Sequence, residues 1–222
     1  MPDVQYLGHS CFRLRGRDGV VLTDPFDRST GLDIGHPTAH IVTISHAHPD
    51  HANVDAVRPM QENIFTIDGP GEYEIGGILI TGVRCYHDKQ KGEELGKNIL
   101  YVITIDDVTF CHLGDLGHEL TTKQLNEVGA VDVLFIPVGG KETIGAAEAA
   151  SVIGQLEPRI VIPMHYALNE KHHSHTDLDS LDKFIHELGQ KDVTAETKFS
   201  ISISNLPAEG GETRVVVMKP ST

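Results

Sequence analysis

The sequence predicts a layered α/β sandwich in which helices cover paired sheets. Three observations carry that reading. The first third of the 222 residues is a series of short β-branched or alternating runs separated by glycine and polar residues. Helical and continuous apolar segments then alternate through the C-terminal half, and two further strand-like runs close the chain. There is no repeat of solenoid period, no linker-like composition and no low-complexity tract, so residues 1–222 are expected to form a single domain.

Taken in order, "DVQYLG", "SCFRLRG" and "GVVLTD" are predicted strands. "AHIVTISHAH" is a nearly continuous apolar run that stops at histidines, which suits a strand buried on both faces. A short helix is expected from Pro49 to Val57, since proline suits a first helical position. "NIFTID" and "GGILITGVRCYH" are strands, and the intervening "GPGEYEIGG" reads as glycine-rich turn. "NILYVITID" and "VTFCHLGD" flank Asp106-Asp107 and predict a hairpin. "LTTKQLNEVG" has helical periodicity, with Thr121 or Thr122 as cap and Gly129 as stop. "VDVLFIPVGG" and "RIVIPMHY" are buried strands on either side of an alanine-rich helix in "TIGAAEAASVIGQLEP". "TDLDSLDKFIHELG" is an amphipathic helix capped at Thr176 or Asp177. "KFSISIS" and "TRVVVMKP" are expected to pair as a hairpin.

Charge and composition exclude several classes of function. A formal net charge of −14 opposes binding to a polyanion, and the lysines of "KQKGEELGK" are diluted by two glutamates, so no nucleic-acid partner is expected. No apolar run approaches the ~20 residues of a membrane span, and "MPDVQYLGHS" lacks the pattern of a signal peptide. Cys11, Cys85 and Cys111 are odd in number and lie in strand-like runs, which suits buried thiols in a reducing cytoplasm.

The chemistry-bearing stretch is "SHAHPDH", which holds His46, His48, Asp50 and His51. Other metal-competent residues follow the predicted strands one by one. Asp24 follows "VVLT", His87 follows "LITGVRCY", Asp115 follows "VTFCHLG" and His165 follows "RIVIPM". Sites in α/β proteins gather at the carboxyl ends of strands, because loops there are held by a rigid scaffold. His46, His48 and His87 could form one ligand set, and Asp50, His51 and His165 a second, with Asp115 bridging them. Two divalent ions are therefore expected, with Zn²⁺ preferred and Mn²⁺ or Fe²⁺ able to use the same donors.

The His-x-His-x-Asp-His run, the "LTDP" around Asp24, the "LGD" at Asp115 and the "PMHY" at His165 resemble the metallo-β-lactamase superfamily, in family order along the chain. The opening "YLGHSCFRL" and the "GDLGH" ending at His118 are similar to the branch of small metal-dependent hydrolases that includes ascorbate-6-phosphate lactonase. The resemblance implies a four-layer αββα sandwich with a dinuclear site at one edge of the sheets. It assigns His46, His48, His87 and Asp115 to one metal, and Asp50, His51, Asp115 and His165 to the other. Asp24 resembles the buried acid that orders the ligand loop.

The expected activity is hydrolysis of a small molecule, anions included: a lactone, ester or phosphodiester attacked by a metal-bridging hydroxide held by Asp50 and Asp115. His118 is a candidate proton donor, against the plainer role of helix entry. His9 follows a strand and Gly8, so it either leans toward the site or is a satisfied core histidine. His112, His36 and His40 are read as structural. "KHHSHTD", residues 171–177, either lines the entrance or is a solvated loop. A secreted lactamase would carry an export signal and a cysteine where Asp115 stands. A flavodiiron reductase would carry glutamate where His48 stands. The RNA-processing nucleases carry nucleic-acid-binding segments, and glyoxalase-II-like thioesterases carry a helical extension. The alternative on the same fold is a non-catalytic, metal-binding regulatory module. Substrate identity and oligomeric state are not read from the sequence.

Overall fold

The computed structural model of the protein describes residues 1–168, 177–191 and 193–221. From the N-terminus, β1 (Asp3–Gly8), β2 (Cys11–Arg15) and β3 (Val20–Thr23) run as antiparallel neighbours. Next come β4 (Thr38–Ala39), β5 (Ile41–Thr43), β6 (Arg58–Pro59) and β7 (Phe65–Ile67). A meander of β8 (Gly71–Ile75), β9 (Ile78–Tyr86), β10 (Lys97–Ile105) and β11 (Val108–His112) follows. Helix α1 (Thr122–Val128) leads into β12 (Val133–Pro137), and α2 (Ala146–Leu156) leads into β13 (Ile160–Met164). The chain ends with α3 (Leu181–Glu187), β14 (Phe199–Ser200) and β15 (Arg214–Val215). Among the described residues these strands form a six-stranded sheet in the order β14-β1-β2-β3-β5-β7 and a seven-stranded sheet in the order β15-β13-β12-β11-β10-β9-β8. β4 and β6 make a separate pair.

The period-2 alternation of each strand explains why two sheets stack. Ile99, Tyr101, Ile103 and Ile105 of β10 face the inter-sheet core, together with Val133 and Phe135 of β12 and Tyr6, Phe12, Leu14 and Val21 of the other sheet. Phe12 stacks on Phe135 with ring centroids 4.1 Å apart, which joins the two sheets directly. The alternate residues, including Leu100, Cys111, Leu134, Ile136 and Val161, face outward against Val128, Val152 and Phe184 of the three helices. On the opposite side, Cys11, Val20, Leu22 and Val42 pack against Phe26, Leu32 and Val57. That covering layer is built from extended chain and two 3₁₀ turns, Arg28–Thr30 and Val54–Ala56. The result is a layered α/β sandwich, with its α-helical cover concentrated on the seven-stranded sheet. No described helix is long and apolar enough to cross a membrane.

The local chemistry agrees with most predicted elements. Asp106 and Asp107 have φ of 49° and 65°, as a tight hairpin turn requires. Thr121 and Gln124 close a capping box at α1, and Gly129 ends the helix. All three cysteines are free and buried.

Four expectations need correction. The helix from Pro49 is absent, and only the turn Val54–Ala56 forms. Instead the His51 amide donates to His48 O, and the Asn53 amide and side chain donate to Pro25 O and Phe26 O, which turns His51 inward. "GPGEYEIGG" contains an edge strand, β8, because Tyr73 and Ile75 pack on the core while glutamates alternate outward. Helix α3 starts after Ser180, because the Asp179 backbone is already paired with Gly139 O and the Ala167 amide. Thr176, the other suggested cap, lies outside the described residues. The last two strands do not form a hairpin: β14 pairs antiparallel with β1, and β15 pairs parallel with β13 in the other sheet.

Candidate metal centre

Strand polarity gathers the site. β1, β3 and β5 share one direction, and so do β9, β11 and β13. Their carboxyl ends deliver His9, Asp24, the His46–His51 turn, His87, Asp115 and His165 to one place. Three of the residues that follow these strands, His9, Asp24 and His165, take left-handed φ of 53°, 39° and 52°. Such strain in non-glycine residues is held by surrounding contacts and concentrates at functional sites. Here the His165 amide donates to His9 O at 3.0 Å, which links the two sheets at the site.

Asp115 stands at the centre. Its Oδ2 lies 3.2 Å from His51 Nε2, 3.3 Å from His87 Nε2, 3.3 Å from His165 Nε2 and 3.9 Å from His46 Nε2. Its amide donates to Asn98 Oδ1, and Asn98 Nδ2 donates to Leu113 O, so the β10 side chain braces the loop that carries the acid. His48 Nδ1 is 3.0 Å from His46 Nε2. His9 Nε2 is 3.0 Å from His51 Nε2 and 3.4 Å from Asp50 Oδ2.

Behind these groups, Asp24 is fully buried. Its Oδ1 accepts the Ser45 amide at 2.8 Å, and its Oδ2 accepts the Ser45 hydroxyl at 2.5 Å and His51 Nδ1 at 2.9 Å. Because a carboxylate only accepts, His51 carries its proton on Nδ1. The Ser45 hydroxyl, having donated to Asp24, accepts from His46 Nδ1 at 2.9 Å. His87 Nδ1 donates to Glu142 O at 3.0 Å. Three imidazoles thus have their Nδ1 protons committed to outer partners, and their Nε2 atoms converge on one carboxylate oxygen.

The electrostatics divide the rings into two groups, those ruled by burial and those ruled by the carboxylates. Burial pushes His46 and His9 down to about 3, with neighbouring His51 and His165 respectively adding to the effect. Both are neutral at pH 7, the form that binds a metal. At His51 burial acts in the same sense, but the Asp115 and Asp24 carboxylates outweigh it and raise its pKa. Burial is likewise outweighed at His87, where Asp115 raises the pKa. Burial would lift Asp115, yet His165 and His51 hold it well below the usual carboxylate range. Burial would also lift Asp50, but His9 and His51 hold it low. Asp24 follows the same pattern, with His51 overcoming its burial.

This donor set fits a divalent cation on its own chemistry. Lone pairs and carboxylate oxygens that face one another repel unless a cation lies among them. His87 Nε2 and Asp115 Oδ1 are buried without a hydrogen-bond partner among the described residues, which is costly for polar atoms. The donor atoms of His46, His48 and His87 lie within 4.8 Å of one another, as do those of His46, His51 and Asp115, and those of His9, His51 and His165.

Of the residues predicted from sequence, His46, His48, His51, His87, Asp115 and His165 come together here, and Asp50 reaches the group through His9. Asp24 stands behind them, bonded to His51 and Ser45. His118 does not suit a proton donor: Nε2 accepts the Tyr86 amide at 3.1 Å and Nδ1 donates to Glu119 O at 2.6 Å, so backbone groups occupy both nitrogens. His112 is structural, donating to Ser10 O and accepting the Gly114 amide. His40 accepts the Val20 amide, and His36 is exposed. Residues 171–176 of the histidine-rich tract lie outside the described residues. Ser45 and Asn98 carry no signal in the sequence that marks them as site residues. His9 carries the same signal as the ligand candidates, a position just beyond a strand, and the structure places it among them.

A family model described as a β-lactamase superfamily domain matches residues 3–165. A UPF0173 metal-dependent hydrolase of Thermococcus onnurineus is 32% identical over 75% of this chain and 85% of its own. A UPF0173 metal-dependent hydrolase of Pyrococcus horikoshii is 29% identical with the same coverage. Among solved structures, a candidate Zn-dependent hydrolase of the metallo-β-lactamase superfamily from Thermotoga maritima is 34% identical, covers 98% of each chain and superposes with a TM-score of 0.77. Igni18, a metallo hydrolase from Ignicoccus hospitalis, shares the fold at 19% identity and a TM-score of 0.62, over 90% of this chain and 99% of its own.

Proposed function

The chain belongs to the β-lactamase superfamily and to the UPF0173 family of metal-dependent hydrolases, and on that premise we propose that it hydrolyses small molecules with a pair of divalent cations. We assign one cation to His46, His48 and His87 and a second to Asp50, His51 and His165, with Asp115 shared between them. When bound, such a pair supplies Lewis acidity and lowers the pKa of water. The chain's own residues supply the rest. Asp24, through His51 and Ser45, fixes ring orientation and tautomer. Asp50, half-buried and ionised, is the carboxylate suited to accept a hydrogen bond from an attacking water or hydroxide and orient it.

The reaction class is attack by water on a carbonyl or phosphoryl centre, with cleavage of a carbon–oxygen or phosphorus–oxygen bond. A small lactone, ester or phosphodiester suits it. An anionic substrate is compatible with the site, because cation charge there offsets the −14 of the chain locally. Zn²⁺ suits the imidazole-rich donors, and Fe²⁺ is the next choice.

The observation that carries the reading is the convergence of four imidazole nitrogens within 3.9 Å of Asp115 Oδ2, while Asp115 Oδ1 is buried with no hydrogen-bond partner among the described residues. The experiment is elemental analysis of the purified protein combined with turnover on generic phosphodiester and lactone substrates. Two metals per chain, with turnover abolished in Asp115→Ala, supports the proposal. Two metals with no turnover across a broad panel favours the non-catalytic module, and no metal removes both.

A further inference from the structure

We propose that His9 is a direct donor to the second cation, so that each of the two positions is built from three imidazoles with Asp115 between them. The inference rests on the two-cation reading above and adds to it a residue from a different part of the chain.

The geometry is that of a ligand rather than a core histidine. His9 Nε2, not Nδ1, points inward: it is 3.0 Å from His51 Nε2, and its ring centroid is 4.3 Å from that of His165. The donor atoms of His9, His51 and His165 lie within 4.8 Å of one another, as do those of His46, His48 and His87. His51 Nδ1 is committed to Asp24, so the nitrogen His51 turns toward His9 is Nε2, the one left to serve a cation. Two ring nitrogens at 3.0 Å share at most one proton, whereas a cation between them uses both lone pairs.

The backbone is built to hold His9 in place. Its φ of 53° is a conformation that a non-glycine residue adopts only when contacts enforce it. Its carbonyl accepts both the Tyr6 hydroxyl at 2.8 Å and the His165 amide at 3.0 Å. Those two bonds fix its ring beside that of His165, from the opposite sheet. Asp50 Oδ2, at 3.4 Å from His9 Nε2, stands on the solvent side of this pair, since Asp50 is half-buried and His9 is buried.

The chemical consequence is selectivity. Without His9 the second position would hold two imidazoles and two carboxylates, a mixed set that also accepts Mn²⁺. Three imidazoles favour Zn²⁺, Co²⁺ or Fe²⁺ over Mn²⁺ and Mg²⁺.

The test is titration of chelator-stripped protein with Co²⁺, following the visible absorption of the bound ion and the affinity of each equivalent. Wild type is expected to bind two equivalents. In His9→Ala the first equivalent should be unchanged, the second weakened by roughly tenfold or more, and its spectrum altered. Millimolar imidazole should restore that spectrum by refilling the cavity. His9→Gln serves in the same assay should His9→Ala fail to fold, as read by its apo-protein melting curve. The inference is overturned by wild-type affinity and spectrum in the variants. It is also overturned by weakening that imidazole does not repair, since His9 would then act through a neighbour rather than as a donor. Failure of the two-cation reading itself is distinct: wild-type protein would bind fewer than two equivalents.

Discussion

Replacing Asp24 by asparagine is the most discriminating single perturbation of this site. The two side chains have the same shape, and the carbonyl oxygen of the introduced amide can still accept the Ser45 amide, now 2.8 Å from Oδ1. The other oxygen becomes an NH₂ donor, 2.9 Å from His51 Nδ1, which is itself a donor. His51 relieves that clash by moving its proton to Nε2. The nitrogen that faces Asp115 at 3.2 Å then has no lone pair to give. Loss of such an outer hydrogen bond costs about 10–100-fold in metal affinity, or roughly 1.4–2.7 kcal/mol. Asp24→Ala removes the acceptor for three buried donors at once: the Ser45 amide, the Ser45 hydroxyl and His51 Nδ1. Breaking a buried charged assembly on one side costs about 3–5 kcal/mol, a large part of the ~5–15 kcal/mol that stabilises a typical domain. The asparagine variant should therefore bind metal weakly yet fold, whereas the alanine variant should lose both properties. Chelator competition reads the first quantity and urea unfolding of stripped protein reads the second. An asparagine variant with wild-type metal affinity would refute the claim that Asp24 sets the His51 tautomer.

Three further outcomes are expected. His118→Ala should lower stability by about 1–2 kcal/mol through its two lost backbone partners, while leaving the pH profile of turnover unmoved; a lost limb in that profile would restore His118 as a proton donor. Gly139→Ala would drive a methyl into His165 O, so it should weaken metal binding, whereas Gly129→Ala meets nothing within 4 Å and should cost only its left-handed φ of 69°; equal metal affinity in the two variants would contradict the proposed role of the His165 turn. Stripping the cations should lower the melting temperature by roughly 5–10 °C, on the basis that a ligand at 100 times its Kd adds about 2.7 kcal/mol; identical melting with and without chelator would show that cations add nothing to the fold.

Much of the candidate site could be read from the chain because its residues obey one rule, a metal-competent side chain just past the carboxyl end of a strand, as at β1, β3, β5, β9, β11 and β13. The strands themselves were visible from alternation, as in β10, where Ile99, Tyr101, Ile103 and Ile105 face one way. Where the reading failed, a long-range contact overrode local preference. Pro49 invites a helix, yet burying His51 against Asp24 requires the chain to turn instead. The hairpin expected at the C-terminus lost to partners elsewhere, because β1 and β13 each offered an open edge. Strand β8 was hidden by its glycines, although the alternation of Glu72, Tyr73, Glu74 and Ile75 carried the period-2 signal. For His118 two roles stay open in the sequence, because a histidine three residues past Asp115 is equally suited to hold a backbone amide, and the structure shows it doing the latter.

The division of labour between the sheets explains why the ligand set depends on the fold as a whole. The six-stranded sheet supplies His9, Asp24 and the His46–His51 turn, and the seven-stranded sheet supplies His87, Asp115 and His165. Neither sheet alone carries the whole donor set, so the site exists only when the inter-sheet core is packed. Tyr101, an inward residue of β10, donates its hydroxyl to Ile44 O at 2.9 Å and lies 3.1 Å from Ile67 O, at the ends of β5 and β7. The Ile99 amide donates to Ser45 O at 2.9 Å. These bonds cross the sandwich immediately behind the ligand turn, where a shift of one sheet on the other would move His46 relative to Asp115. Ligand spacing is thus a property of sheet packing. A core substitution at Tyr101, which touches no proposed ligand, is expected to weaken metal binding along with stability, and a Tyr101→Phe variant that loses stability with unchanged metal affinity would show that the ligand turn holds its position unaided.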